Sequence, residues 1–455
     1  MNYRKIIEMQ TGYFNTNTTK DIGFRIQQLR KLKSAIKAQE TALSEAIHTD
    51  FGKSAFETYT TELNLIYSEI DSSIKNLPAW AKRKSVGTNL LNLPGRSYCI
   101  PEPLGVCLII GVWNYPYLLS LQPLVSAVAA GNTVVLKPSE IASASSAAMA
   151  ALIGKSFPPE YIAIIEGGIP ETTELLGEKF DKIFFSGSTS VGTIVYQAAA
   201  RNLTPVTLEL GGKNPAIVTR NSTIETSAKR IIWAKFLNAG QTCIAPDYVL
   251  VDELVRTSFL FHAKKYIDEF CYSIDNSNYV RIINEKNFHR LAALIDKKKT
   301  YCGGETDLRN LFIAPTIMTD VTNDEKVMSE EIFGPILPVI SYSDISDAIA
   351  AIKSRPKPLA CYIFTNNKVL RNRLLKEISF GGGAINDAVM HITNSKLPFG
   401  GVGNSGLGSY HGKAGFEAFS HFKSILDKPF WPEPRLKYPP YTERSMRWLR
   451  RVIGK

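Results

Sequence analysis

The stretch from Pro103 to Leu136 contains no charged residue, and it constrains the fold more than any other part of the chain. A run of that length could cross a bilayer as a helix. Asparagine, proline, glutamine and glycine residues interrupt it, however, and divide it into a strand at 106–110, a loop, a helix at 116–130 and a strand at 133–136. Strands that are buried on both faces of a parallel sheet have such continuous apolar runs. The stretch therefore predicts the centre of a parallel sheet and not a membrane span.

The same alternation of strands and helices continues along the chain and predicts an α/β fold with two doubly wound domains. Further strands are predicted at 162–165, 182–185, 206–208, 248–251, 336–340 and 361–364, and further helices at 141–153, 170–176, 191–200, 255–270, 285–298 and 345–352. Before the uncharged stretch, apolar residues at helical spacing predict a helix over 21–54 and a second helix over 61–77 that ends at Pro78.

A cysteine near the middle of the chain is the first candidate for chemistry. Cys243 follows Gly240 and Gln241, which end an apolar helical run at 231–237. Most free cysteines are small buried core residues. These polar neighbours favour instead a partly exposed thiol, which a nucleophilic thiolate requires. The residues around Cys243 leave both interpretations open.

A glutamate upstream is the second candidate. Glu209 interrupts an apolar, strand-like run at 206–210 and is followed by Gly211 and Gly212. A carboxyl group in apolar surroundings has a raised pKa, which suits a general base near neutral pH. The alternative is an ordinary ion pair with Lys213 at the end of a strand.

Two segments carry a resemblance to a known family: Leu-Glu-Leu-Gly-Gly-Lys at 208–213 and Gly-Gln-Thr-Cys-Ile-Ala-Pro-Asp-Tyr at 240–248. They resemble the active-site signatures of the aldehyde dehydrogenase superfamily, and the second is similar to its class 3 branch. The resemblance implies oxidation of an aldehyde to a carboxylic acid through a thiohemiacetal and a thioester on Cys243, with Glu209 as the base for hydrolysis. Asn114 matches the asparagine that would stabilise the oxyanion. Without the resemblance, Asn114 is an ordinary loop residue.

The resemblance also implies a cofactor, NAD or alternatively NADP, and the residues that would bind it. A strand, a tight turn and a helix start at 184–192 carry Gly187, Ser188 and Gly192, which would approach the pyrophosphate at a helix N-terminus. Without the resemblance, this segment is a plain turn between a strand and a helix. The other implied cofactor residues are Trp113, Lys137, Glu140, Leu210, Gly211, Glu331 and Phe333.

Four of these residues have an implied position along the cofactor. Lys137 and Glu140 would lie at the adenosine ribose, Glu331 would hold the nicotinamide ribose, and Phe333 would lie near the ring. Taken alone, Lys137 and Glu140 fit a solvated strand end equally well, and the segment around Glu331 fits a turn.

Two other functions compete with this interpretation. A relative that intercepts the thioester with coenzyme A or phosphate would not need a base at Glu209, and the Leu-Glu-Leu-Gly-Gly-Lys segment disfavours it. A non-catalytic protein on the same scaffold would not need Cys243, Glu209 and Asn114 together. We assign no catalytic role to His391 or His411, and the six histidines show no metal-ligand spacing.

The net charge of +11 raises the question of a nucleic-acid partner, but its distribution argues against one. Residues 435–455 contain seven basic residues and one acidic residue, so this tail carries +6, and the remaining +5 is typical of a solvated surface. Six irregularly spaced cysteines do not form a disulfide framework, which favours the reducing cytoplasm. The polar start of the chain does not read as a secretory signal.

The resemblance divides the chain into four regions. They are a dinucleotide-binding domain at 1–81 and 100–208, a catalytic domain at 209–405, a β oligomerisation arm at 82–99 and 416–427, and a basic tail at 428–455. Because the arm has no obvious partner in its own domain, we expect a homodimer.

The tail and the substrate are described only coarsely by the sequence. Residues 445–453 place apolar and basic side chains on different sides of a short helix, which predicts weak peripheral contact with an anionic membrane surface. A solvated or dimer-packed tail is the alternative. Trp113, Tyr115 and Ile244 near the site favour an apolar aldehyde, and the resemblance to the class 3 branch implies medium-chain aliphatic and aromatic aldehydes.

Overall fold

The computed structural model describes residues 3–433 and 435–452, which form two compact units. One unit comprises the chain up to Trp80 together with Glu102–His421. The other comprises Ala81–Pro101 and the chain from Phe422 onwards. Among the described residues, no helix is long and apolar enough to cross a membrane.

The described chain alternates between helices and strands along most of its length. The helices are α1 Tyr3–Asn15, α2 Ile22–Ala38, α3 Glu40–Phe51, α4 Ala55–Thr58, α5 Asn64–Trp80, α6 Leu118–Ala130, α7 Ser143–Ser156, α8 Ile169–Gly177, α9 Thr189–Ala200, α10 Ile224–Phe236, α11 Arg256–Phe270, α12 Glu285–Ala292, α13 Lys326–Ser329, α14 Ile345–Lys353, α15 Lys368–Glu377, α16 Gly412–Ala418 and α17 Glu443–Val452. The strands are β1 Lys84–Val86, β2 Arg96–Pro103, β3 Val106–Ile110, β4 Thr133–Lys137, β5 Ile162–Ile164, β6 Lys182–Ser186, β7 Val206–Glu209, β8 Pro215–Val218, β9 Tyr248–Asp252, β10 Thr300–Cys302, β11 Thr306–Asp307, β12 Phe312–Ile313, β13 Thr316–Thr319, β14 Ile336–Tyr342, β15 Ala360–Phe364, β16 Gly382–Ile385, β17 Gly406–Leu407 and β18 Ser420–Asp427.

The uncharged stretch forms the centre of the first sheet, as the sequence predicts. Its strand order is β17-β7-β6-β3-β4-β5. Strand β3 is buried along its whole length and pairs in parallel with β4 on one side and β6 on the other. Only β17 runs antiparallel, and it pairs Gly406 with Glu209 at the end of β7. The carboxyl ends of β4, β6 and β7 therefore meet at one edge, where ligands bind in sheets of this type.

A second sheet follows in the order β10-β13-β14-β9-β8-β15-β16. Its strands pair in parallel, except that β10 is antiparallel to β13. The predicted α/β class with two parallel sheets is confirmed. Both sheets lie in the same compact unit, so the division into a dinucleotide-binding and a catalytic domain stays a prediction.

Three predicted helix boundaries are wrong. The single helix over 21–54 is two helices, α2 and α3, which break at Gln39. The helix over 61–77 does not end at Pro78, because α5 continues to Trp80, whose ring packs 5.8 Å from that of Phe416. The helix over 285–298 ends at Ala292, and Asp296 accepts the Lys298 N–H in the turn that follows.

The β arm predicted at 416–427 also begins later in the structure. Phe416 lies in helix α16, and the strand begins only at Ser420. The buried carboxylate of Glu69 accepts the Gly412 N–H at 2.7 Å and so anchors the start of that helix. A helix N-terminus favours such a negative partner.

The second unit contains a small sheet and the basic tail. Its strands are ordered β1-β2-β18, with Lys84 opposite Cys99 in the antiparallel pair of β1 and β2. The tail contains α17, in which Met446 and Trp448 are exposed. The predicted tail helix agrees with α17 as far as Val452, and Ile453 lies outside the described residues.

Candidate active site

The loop that carries Cys243 is shaped by three consecutive residues with left-handed backbone. Helix α10 ends at Phe236, and Asn238, Ala239 and Gly240 follow with φ of 52°, 51° and 72°. A Cβ at Gly240 would lie 2.3 Å from the carbonyl oxygen of Gly334, so only glycine fits there. The turn leaves Cys243 half-buried, which agrees with the exposure expected from its polar neighbours.

The polar residues beside Cys243 hold the loop in place. Gln241 donates through Nε2 to the carbonyl oxygens of Asn238 and Arg281, and its Oε1 accepts the Ile283 N–H. The amide of Asn238 donates to the carbonyl oxygens of Asn114 and Gln241. Asn114 Nδ2 also donates to the Gln241 carbonyl at 3.0 Å, and one of its two N–H groups remains for another acceptor.

Asn214 is a positioning residue that the sequence analysis missed. Its Nδ2 donates to the carbonyl oxygens of Cys243 at 2.8 Å and Ala245 at 3.1 Å, and its Oδ1 accepts the Ala360 N–H. Asn214 thus ties the loop that carries Cys243 to strand β15. It immediately follows the glycine-rich segment that contains Glu209, and this position was the available signal.

Glu209 ends strand β7 with its carboxylate in an apolar environment. It is 5% exposed, and neither carboxylate oxygen has a hydrogen-bond partner among the described residues. Burial raises the pKa of Glu209 well above its usual range. The alternative of an ion pair with Lys213 is wrong, because the Lys213 ammonium lies 2.6 Å from Asp247 instead.

Burial and two carboxylates raise the pKa of the Cys243 thiol. Burial contributes most, and Glu331 and Glu209 follow in that order. The ionisable neighbours that raise the thiol pKa are therefore acids, and in their ionised form they favour the neutral thiol.

Cys243 lies where two cavities meet. An apolar cavity of about 530 Å³ is lined by residues that include Tyr115, Phe236, Ile244 and Phe399. A second cavity of about 620 Å³ also reaches Cys243 and Phe399. The predicted site residues that line the second cavity are Trp113, Asn114, Gly187, Ser188, Glu209, Leu210, Gly211, Cys243, Glu331 and Phe333.

Three predicted cofactor residues do not line that cavity. Lys137 and Glu140 form an ion pair of 3.5 Å at the end of strand β4, and Glu140 is the exposed partner. Gly192 lies in helix α9, where a Cβ would come 2.6 Å from the Leu210 side chain. Gly192 therefore permits close packing of α9 on the chain that follows β7.

Lys235 is a second residue that the sequence analysis missed. Its ammonium is fully buried and has no hydrogen-bond partner among the described residues. Burial lowers the pKa of Lys235 to about 8, against the attraction of Asp247 and Glu331. Burial, together with Asp247, raises the pKa of Glu331 to about 8, and Lys235 opposes that rise.

The sequence profile of the aldehyde dehydrogenase family matches residues 3–425. The chain belongs to the aldehyde dehydrogenase family. It is 47% identical over 434 residues to the 4,4′-diaponeurosporen-aldehyde dehydrogenase of Staphylococcus aureus, a match that covers 94% of this chain and 95% of that protein. It is 45% identical to the rat dimeric NADP-preferring aldehyde dehydrogenase, with 94% and 95% covered, and 43% identical to mouse aldehyde dehydrogenase family 3 member A2, with 98% and 93% covered.

Solved structures of aldehyde dehydrogenases have the same fold. The substrate-bound state of Staphylococcus aureus AldH superposes with a TM-score of 0.97 at 45% identity, covering 99% of this chain and 100% of that one. The NAD-dependent aldehyde dehydrogenase of Sinorhizobium meliloti superposes with a TM-score of 0.87 at 26% identity, covering 95% and 88%. The family to which this aldehyde dehydrogenase belongs depends on NAD or NADP.

The second cavity of this aldehyde dehydrogenase fits such a dinucleotide. Helix α9 begins at its wall with Ser188 as N-cap, and a helix N-terminus binds phosphate. A Cβ at Gly211 would lie 2.0 Å from Glu331 Oε2, so glycine leaves the space that the Glu331 carboxylate occupies. Glu331 Oε1 is buried without a partner among the described residues, and it is free to accept a ribose hydroxyl. The Trp113 and Phe333 rings pack edge to face at 5.5 Å in the same wall.

Proposed function

We propose that this aldehyde dehydrogenase oxidises an apolar aldehyde, medium-chain aliphatic or aromatic, to the carboxylic acid, with NAD preferred over NADP. The observation that carries the proposal is the position of Cys243 between an apolar cavity and a cavity that fits the dinucleotide. An aldehyde in the first cavity would present its carbonyl carbon to the sulfur. The overall reaction consumes one aldehyde, one oxidised cofactor and one water, and it yields the acid, the reduced cofactor and a proton.

Cys243 acts first in this proposal. Its thiolate attacks the carbonyl carbon and converts it into a tetrahedral alkoxide bound to the sulfur. The remaining N–H of the Asn114 amide and the backbone N–H of Cys243 donate to that oxyanion. Asn238 and Asn214 hold these groups in place, since Asn238 donates to the carbonyl oxygen of Asn114 and Asn214 donates to that of Cys243. When bound, the dinucleotide supplies the hydride acceptor.

Glu209 acts in the second stage, when the thioester on Cys243 is hydrolysed. A carboxylate without hydrogen-bond partners can accept a proton from water without first breaking another interaction. Its raised pKa brings its basicity closer to neutral pH. The buried, unpaired carboxylate of Glu209 also disfavours interception of the thioester by coenzyme A or phosphate, because that reaction does not need a base to activate water.

Glu331 and Glu140 are the proposed determinants of cofactor binding. Glu331 would hold the nicotinamide ribose, while Glu140 would accept the hydroxyls of the adenosine ribose and repel a 2′-phosphate. Glu140 is exposed beside Lys137, whose ammonium already donates to the Pro138 carbonyl at 2.8 Å. These contacts support a preference for NAD, with NADP also used.

We propose that two copies of the chain form a homodimer through the small sheet. Strand β18 ends the order β1-β2-β18, and among the described residues no further strand pairs with its outer edge. Leu90, Leu91 and Leu93 before β2 are exposed. The rat relative is itself named dimeric.

The six free cysteines and the need for a working thiol support a reducing, cytoplasmic location.

The test is turnover with a panel of aldehydes and both cofactors, followed by absorbance of the reduced cofactor. We expect activity with medium-chain aliphatic and aromatic aldehydes and none in Cys243→Ala. Cys361→Ala is the matched control, because Cys361 is a buried thiol in strand β15 and lines neither cavity. Turnover that survives in Cys243→Ala, or acid formation that requires coenzyme A, would contradict the proposal.

A further inference from the structure

The apolar cavity beside Cys243 contains a single charged side chain. Among the described residues that line it, none is a lysine or arginine, and Glu57 is the only carboxylate. Most of the remaining wall is aromatic or aliphatic and includes Phe236, Tyr272 and Ile392. In such cavities a few placed polar groups determine which ligand is accepted.

Two of the hydrogen bonds of Glu57 fix its position at the cavity wall. Its backbone N–H donates to Ser54 Oγ at 3.1 Å, which caps helix α4. Its Oε1 accepts the Asn238 N–H at 3.1 Å, so one oxygen is tied to the loop that carries Cys243. Among the described residues, no hydrogen bond engages Oε2.

The charge of Glu57 has no dedicated counter-ion. Burial raises the pKa of Glu57, while Lys53 and the Asn238 N–H oppose that rise. The Lys53 ammonium lies 2.7 Å from Glu62 Oε1, and both side chains of that pair are fully buried. The second oxygen of Glu62 accepts the N–H groups of Tyr117 and Leu118. Because Lys53 is already balanced by Glu62, this wall of the cavity is negative at pH values where Glu57 is ionised.

We propose that Glu57 is a specificity-determining residue, which admits aldehydes with an uncharged chain and rejects aldehydes that end in a carboxylate; this inference rests on the proposed function. An anionic chain end in the cavity meets a like charge and loses its hydration without gaining a cation. Charge repulsion of this kind is strong where water is excluded. Specificity then comes from what the cavity excludes as well as from what it contacts.

The test compares two aldehydes of equal chain length, heptanal and 7-oxoheptanoate, with purified full-length enzyme. The quantity measured is the ratio of their kcat/KM values within each variant, so a general loss of activity cancels. We expect wild type to prefer heptanal and Glu57→Gln to reduce that preference by roughly tenfold or more. The glutamine keeps an oxygen for the Asn238 N–H. Glu45→Gln is the matched control, because Glu45 is an exposed glutamate of helix α3 outside the cavity wall, and we expect it to leave the ratio unchanged.

Three results would overturn the inference. One is a wild-type enzyme that uses both aldehydes equally well. Another is an unchanged ratio in Glu57→Gln when Glu57→Ala slows both aldehydes together, because that pattern belongs to a residue that only supports the loop. The third is a wild type that oxidises neither aldehyde nor any other of the panel, which removes the proposed function as well. If wild type oxidises heptanal but Glu57→Gln leaves the ratio of the two kcat/KM values unchanged, only the role of Glu57 is refuted and the proposed function stands.

Discussion

Replacement of Glu209 by glutamine separates the two stages of the proposed reaction. Neither oxygen of Glu209 makes a hydrogen bond with the described residues, so the isosteric amide breaks no existing contact. We therefore expect the melting temperature not to fall. Loss of a general base slows catalysis by roughly 10²–10⁴-fold, or about 3–5 kcal/mol in the barrier to hydrolysis. Once the Cys243 thiol has lost its proton by other means, thiolate attack and oxidation need no base at this position.

Rapid mixing with aldehyde and NAD measures both stages. Glu209→Gln should give a burst of reduced cofactor approaching one equivalent per active subunit, followed by a slow steady state. Mass spectrometry of the stalled protein should show the acyl group on Cys243, and Cys243→Ala should show neither burst nor adduct.

A second measurement uses the electrostatic effect of Glu209 on the thiol. Burial and Glu331 contribute more to the raised pKa of Cys243 than the Glu209 carboxylate does, but removal of that carboxylate should still lower the thiol pKa. Its alkylation by iodoacetamide should then begin at lower pH than in wild type. A variant with neither burst nor adduct would show that Glu209 acts before hydride leaves, and normal turnover would make Glu209 structural.

The remaining predictions concern the cofactor, the tail, assembly and stability. NAD should give the higher kcat/KM in steady-state assays with both cofactors, and a value for NADP tenfold above that for NAD would contradict the role of Glu140. Full-length protein should sediment with anionic vesicles more than a chain truncated after Arg435, and equal sedimentation would remove the membrane contact. Light scattering at micromolar concentration should give the mass of a dimer, and a monomer mass would exclude it. The pKa of Lys235 is lowered on folding from 10.5 to about 8, so its burial destabilises wild type by up to about 3 kcal/mol at pH 7, and this effect fades as pH rises towards 10.5. In urea unfolding, the free energy of unfolding of Lys235→Met should therefore exceed that of wild type by more at pH 7 than at pH 10. An equal excess at both pH values would refute this.

The parts of the fold that the sequence predicted are those with local signals. The apolar runs of β3 and β4 are continuous because both faces of these strands are buried, and their neighbours alternate regularly with helices. The segments around Glu209 and Cys243 are contiguous, so their residues could be identified without knowing the fold.

The errors arise where tertiary contacts override local preference. No glycine or proline marks the break at Gln39. This break separates the buried side chains of α2 from those of α3. Proline usually ends a helix, but the last turn of α5 persists around Pro78 because Trp80 packs on Phe416. Helix α1 was missed altogether. Gln10 anchors it to strand β4 through the carbonyl oxygen of Val134 and to the turn before β5 through that of Pro159, contacts that no local pattern reveals.

The missed site residues have the same cause. Asn214 acts on Cys243 across 29 residues of chain, and Glu57 reaches Asn238 across 181. Lys235 is a lysine on an otherwise amphipathic helix, and its burial beside Asp247 and Glu331 follows only from the packing of the loops around it.

The two acids that face Cys243 have a consequence for survival of the resting enzyme under oxidative stress. Peroxide and electrophiles attack the thiolate and react slowly with the thiol. Burial holds the proton on the sulfur of the proposed nucleophile, and Glu331 and Glu209 add to this effect and so to its protection between turnovers. Cys243 therefore remains a thiol in the resting enzyme. Because the thiolate fraction grows with pH, inactivation by peroxide should become faster as pH rises.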